Sequence, residues 1–214
     1  MKGQILWALI GFALGLALVG GCSFPFFPNV DVQIPATVQV VLDDMDSYTG
    51  GADEPLVTVE PGAVMDDLAT LDGCWASVHM GKSVADGLGF FTVYRFDSGE
   101  LTFTRWSGFA TETGELWPAM PLLSAETGSF TVHSPAVLYL TIEQYFSNTD
   151  PDTGRVTGEL HEQPGPSETI VRPALVTLAG DQMLLYIDVD TAADVGPEAW
   201  NPVFRQFECP AVAD

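Results

Sequence analysis

Two acidic stretches carry the oxygen-rich spacing that a hard cation needs. In the first, Asn148, Asp150 and Asp152 recur at every second position and Glu159 follows. In the second, Asp188, Asp190 and Asp194 crowd into "DVDTAAD". A calcium loop alternates its ligand oxygens in this way, turns sharply on a glycine and ends on a Glu. Here the glycine falls one place late, at Gly154, and strand-like residues follow at once. The spacing therefore favours turns over residues 148–159 and 188–194, with calcium loops as the alternative. His79, His133 and His161 are scattered and lack the His-x-x-x-His spacing of a zinc site. No Gly-x-Ser-x-Gly elbow and no phosphate-cradling glycine loop occurs. The expectation is a protein that is not an enzyme and uses no metal or cofactor.

The charge balance narrows the partners. The chain has 214 residues, with 7 Lys+Arg against 29 Asp+Glu and a formal net charge of −22. Such a surface repels the phosphates of nucleic acid and bare anionic lipid, and favours cationic partners. Hydrophobic residues make up 47%, with 13 Phe and 5 Trp, enough for one sizeable core.

The first residues have a different purpose. One lysine, Lys2, precedes an apolar run from Ile5 to Val19, and no acid occurs before Asp31. A run of about 15 residues is shorter than the ~20 a spanning helix needs and matches a secretory h-region. It ends in Val19-Gly20-Gly21-Cys22, which resembles the lipobox of bacterial lipoproteins. The resemblance implies a signal peptide over residues 1–21 and a lipidated Cys22. It implies an exported protein tethered in the bacterial envelope, with Ser23 leaning the anchor towards the outer membrane. Phe24, Phe26 and Phe27 would then rest among lipid headgroups or pack on the domain. Of three cysteines, lipidation removes Cys22 and leaves Cys74 and Cys209, which should pair in an oxidising compartment.

Residues 22–60 read as an anchor and tether rich in Pro, Asp and Gly, with "TVQVVL" as a short edge strand. "PGAVMDDLATL" spaces Val64, Leu68 and Leu71 as a helix would. From Cys74 onward the period is two. "GFFTVYRFD", "ELTFTRW", "GSFTVHSP", "AVLYLTIEQYF", "RVTGELHE", "TIVRPALVTLA", "DQMLLYIDVD" and "PVFRQFECP" alternate and are mostly separated by short turns. Residues 61–214 thus predict an all-β domain: an antiparallel up-and-down β-barrel of about eight strands, preceded by a short helix, with a β-sandwich as the alternative.

Gly73-Cys74-Trp75 at the head of this meander resembles the Gly-x-Trp motif that opens lipocalins and other calycins. The resemblance implies that Trp75 closes one end of a barrel, with Arg205 of the last strand over it in a cation–π contact. It also implies a small hydrophobic ligand, a lipid or fatty acid, held by strand-face residues Phe90, Tyr94, Phe103, Leu140 and Leu185. Trp117 would join them from the long segment 107–128, which reads as a lid, a cap on the core or a further short strand. The competing expectation is a filled barrel serving as a structural or protein-binding envelope component.

Overall fold

The computed structural model describes residues 30–49, 71–80, 87–119, 121–134, 137–165, 169–187 and 203–211. The signal peptide, Cys22, the three phenylalanines after it, the helix expected before Leu71 and the acidic loop 188–194 lie outside these residues.

Among the described residues two helices, α1 (Ala36–Asp43) and α2 (Met45–Tyr48), precede nine strands. These are β1 (Gly73–Met80), β2 (Leu88–Asp97), β3 (Thr102–Thr111), β4 (Leu123–Ser134), β5 (Val137–Thr149), β6 (Val156–Glu162), β7 (Ile170–Ala179), β8 (Gln182–Ile187) and β9 (Val203–Phe207). All pairings between strands are antiparallel. Neighbours run β4-β3-β2-β1-β9-β8-β7-β5-β6, and β4 also pairs with β5. Eight strands therefore have a partner on each side, and β6 is an extra strand on the outer half of β5. The fold is all-β, as the alternation of side chains predicts.

Alternation sorts the apolar residues onto two faces. On the first lie Trp75, Tyr94, Phe96, Phe103, Phe130, Leu138, Leu140, Ile142, Ala174, Val176, Met183, Leu185 and Phe204, one buried cluster supplied by every strand except β6. Leu71 joins this cluster, and the Trp75 indole Nε1 donates to the Leu71 carbonyl at 2.9 Å. Each large side chain buried here contributes about 1.5–3 kcal/mol. On the second face, Ala76, Val78, Phe91 and Val93 meet Val38, Val41, Leu42, Met45 and Tyr48 of the two helices.

Helix α1 corrects the edge strand expected at "TVQVVL". Its valines look strand-like, but Val38, Val41, Leu42 and Met45 fall at i, i+3, i+4 and i+7 and are all buried. Covering the Ala76 face outweighs the weak helix propensity of valine, as tertiary packing commonly does. The chain before it is also laid onto the sheet. Gln33 N donates to the Gly158 carbonyl at 2.6 Å, and a Cβ on Gly158 would sit 2.5 Å from the Asp31 carbonyl oxygen.

Cys74 and Cys209 form a disulfide across 135 residues of sequence. In the chain-entropy account a loop of this size stabilises by about 4–5 kcal/mol. The bond ties the start of β1 to the residues just after β9, as the cysteine count predicts.

The β4–β5 seam slips register between Thr127 and Gly128: Thr127 faces Gln144, whereas Gly128 faces Ile142. Glu143 is the extra residue, a β-bulge. A Cβ on Gly128 would lie 1.9 Å from the Thr141 carbonyl oxygen, so only glycine fits. Gly128→Ala is expected to lower stability by about 2–4 kcal/mol. Urea unfolding of the oxidised protein measures this, and a variant within about 0.5 kcal/mol of wild type would contradict the close approach.

Candidate functional site

The bulge re-phases β5. Before it, Ile142 shares the Trp75 face; after it, Tyr145 stands opposite Glu126 of β4. Beyond the bulge β5 also changes partner. It pairs with β7 over Val137–Ile142 and with β6 over Phe146–Thr149. The stretch between these ladders borders a half-open cavity of about 710 Å³, which Pro164, Gly165, Thr169 and Ile170 also line.

Glu126 and Arg172 belong to its lining. Glu126 is buried and meets two guanidinium groups. Arg105 Nη1 donates to Glu126 Oε2 at 2.9 Å, and Arg172 Nη1 lies 3.2 Å from both Glu126 oxygens. Two of the seven basic residues in the chain thus converge on one carboxylate. A buried carboxylate without such partners would be strongly destabilising.

Two polar atoms beside this cluster are buried without a hydrogen-bond partner, the Tyr94 hydroxyl and Arg105 Nε. Burial pushes the Tyr94 phenol up to about 12, against a smaller downward pull from Arg105, so the group is neutral and keeps its proton. Burial works against the Arg105 charge, but attraction to the Tyr94 phenolate at alkaline pH and to Glu126, with the hydrogen bond to Glu126, outweighs it and its pKa moves up. Native proteins rarely leave buried polar atoms unpaired, so a water or ligand group is the expected partner.

The residues expected to line a ligand site lie elsewhere. Tyr94, Phe103, Leu140 and Leu185 are packed in the Trp75-face cluster. The Tyr94 ring stacks on Phe96 at 5.3 Å and meets Phe204 edge-on at 5.5 Å. Phe90 packs on Phe109 with centroids 5.2 Å apart. Trp117 is half-buried, and its backbone N–H donates to the Phe109 carbonyl at 2.9 Å. None of the six borders the cavity. The segment around Trp117 caps the core instead, with Leu116 buried in the helix-covered cluster and bridged to Ala110. Trp75 is fully buried within the other cluster, while the register sets Gln206 opposite it and Arg205 opposite Ala76.

The acidic stretch 148–159 is built as a turn. Asn148 is buried, accepts from Leu123 N at 3.0 Å and donates to the Pro121 carbonyl at 2.6 Å. Asp150 Oδ1 accepts from Asp152 N at 2.8 Å and Thr153 N at 3.2 Å, and these hydrogen bonds hold its carboxyl below the usual range. Among the described residues no three His, Cys, Asp or Glu gather as a metal site would require.

Sequence reading missed Arg105, Glu126 and Arg172. The signal was present in the alternation: Arg105 has the parity of Phe103, Glu126 that of Phe130 and Arg172 that of Ala174. Charges in register with buried apolar residues mark a polar group inside.

No protein family, curated protein or solved structure matches the chain.

Tyr94 binds its proton more tightly when folded, so its contribution is intact below pH 10 and is lost as pH rises from 10 towards 12. The loss amounts to about 2–3 kcal/mol. Tyr94→Phe should cost little at neutral pH, because no protein group hydrogen-bonds the hydroxyl, and should flatten that alkaline decline. Urea unfolding at stepped pH measures both, and an unchanged alkaline slope would show that the phenol is not buried as described.

Proposed function

We propose that this chain is an exported, lipid-anchored β-barrel protein that binds a small, partly apolar molecule in the cavity beside β5. The pairing of β4 with both β3 and β5 supports the barrel. The disulfide supports an oxidising, exported location. The lipobox-like Val19-Gly20-Gly21-Cys22 supports a lipidated Cys22 in the bacterial envelope. The observation that carries the binding reading is the 710 Å³ cavity, with Glu126 and Arg172 beside Ile142 and Ile170. A few placed polar groups on an apolar lining are what small-molecule sites present.

A second reading is a structural or protein-binding envelope component with a filled barrel. It is supported by the mutual packing of Tyr94, Phe103, Leu140 and Leu185, which leaves the Trp75 face closed. Neither reading uses a covalent step.

Native mass spectrometry separates the two on protein lacking its first 22 residues, which keeps every described element, exported to a periplasm and purified without detergent. A bound mass that is lost on denaturation is expected. A clean apo mass that stays unchanged after incubation with envelope extracts would overturn ligand binding and leave the second reading. Separately, Cys22→Ser in the full chain should abolish metabolic labelling with a fatty acid, and persistent label would overturn lipidation at Cys22.

A further inference from the structure

Resting on the cavity reading above, the geometry points to a ligand that carries a single oxyanion, which docks on Arg172. We infer that Arg105 neutralises Glu126, leaving the Arg172 charge for the ligand.

The distances and burial divide the labour. Arg105 makes the shorter contact to Glu126, 2.9 Å against 3.2 Å, and is the less exposed of the two, with 21% of its side chain accessible against 30% for Arg172. Arg172 borders the cavity and Arg105 does not. Arg172 meets Glu126 through Nη1 alone. A guanidinium has five N–H donors in a planar fork, so Nε and Nη2 of Arg172 can take one carboxylate or phosphodiester side-on.

Charge counting sets the valence. Two guanidinium groups and one buried carboxylate leave one positive charge in the cluster. One further carboxylate belongs to the cavity lining, Glu143. It is exposed at the bulge and accepts a hydrogen bond from Ser129 at 2.9 Å. Solvent screens an exposed charge far more than a buried one, so the Arg105–Glu126–Arg172 group outweighs Glu143 in the cavity. A dianion would leave an unpaired negative charge there, which burial penalises.

The rest of the ligand is apolar. Ile142, Ile170 and Pro164 line the cavity, and the Tyr145 ring stands 38% exposed beside them. The volume is in the range that accepts a drug-sized molecule. Within a chain of charge −22, long-range steering opposes anions. Affinity for one must therefore come from this local cluster, and it should fall sharply when the cluster is changed.

Isothermal titration of the protein lacking its first 22 residues, with decanoate and the neutral decanol of the same chain length, tests the inference. Decanoate should bind at least ~10-fold more tightly than decanol, the worth of one charge-assisted hydrogen bond. Arg172→Met should remove that preference. Glu126→Gln removes the carboxylate that competes for Arg172 and should strengthen decanoate binding while leaving decanol unchanged. Methyl decyl phosphate, a singly charged phosphodiester, distinguishes lipid headgroups from free carboxylic acids by whether it matches or falls below decanoate. Equal binding of decanoate and decanol, or an Arg172→Met variant with near-ultraviolet circular dichroism like wild type and undiminished preference for decanoate, would overturn the oxyanion assignment and leave the cavity reading standing. Absence of binding by all three would overturn the cavity reading itself.

Discussion

A missing Cβ at residue 128 governs how β4 and β5 meet. The Thr141 carbonyl comes so close that no side chain fits at that position, and the approach makes room for Glu143 as an extra residue in β5. Before the bulge, β5 sends Leu138, Leu140 and Ile142 into a dry apolar cluster. After it, the phase is reset, Tyr145 faces Glu126, and the strand is free to leave β7 for β6. One local backbone irregularity therefore divides the sheet into a packed part and a part with space in it.

The two parts obey different energetics. In the packed part, Tyr94, Phe96, Phe103, Phe130 and Phe204 fill the volume with aromatic contacts, and stability follows from area removed from water. In the other, Glu126 is held by two guanidinium groups whose desolvation cost is recovered only if each charge keeps a partner. Tyr94 belongs to both: its ring lies in the apolar cluster, while its hydroxyl reaches the field of Arg105, Glu126 and Arg172 without a hydrogen-bond partner. Such a border explains why the aromatic strand-face residues resemble a ligand lining in sequence and behave as core in space.

How much was legible follows from the range of each signal. Alternation along β2, β3, β5 and β8 is local, so those strands could be read directly, and the cysteine pair followed from counting. Helix α1 escapes a local reading because Thr37, Val38, Val40 and Val41 satisfy strand preferences residue by residue. Only the Ala76 face waiting to be covered decides for a helix, and that face is assembled from β1 and β2, more than thirty residues away. The cluster of Arg105, Glu126 and Arg172 depends on three separate strands meeting, so its members were individually unremarkable in a chain with 29 acids. Their parity with Phe103, Phe130 and Ala174 was the one local trace. Asn148 belongs to a stretch whose spacing already favours a turn. Both ends of its amide are spent on the backbone at Pro121 and Leu123, which rules against the calcium-loop alternative at that position.

The bond between Cys74 and Cys209 has a bearing on survival outside the cell's reducing interior. It encloses strands β1 through β9 in one covalent loop, with Gly73 just outside it at one end and Pro210 at the other. A protease that nicks any single connection inside that loop produces two pieces that are still one molecule. Their strands stay at high effective concentration and can re-pair across the cut. Exposed turns such as Asp97–Leu101 or Asp150–Arg155 can thus be clipped once without shedding a fragment. Damage in a protease-rich compartment would need either a second cut or a reductant before it became loss.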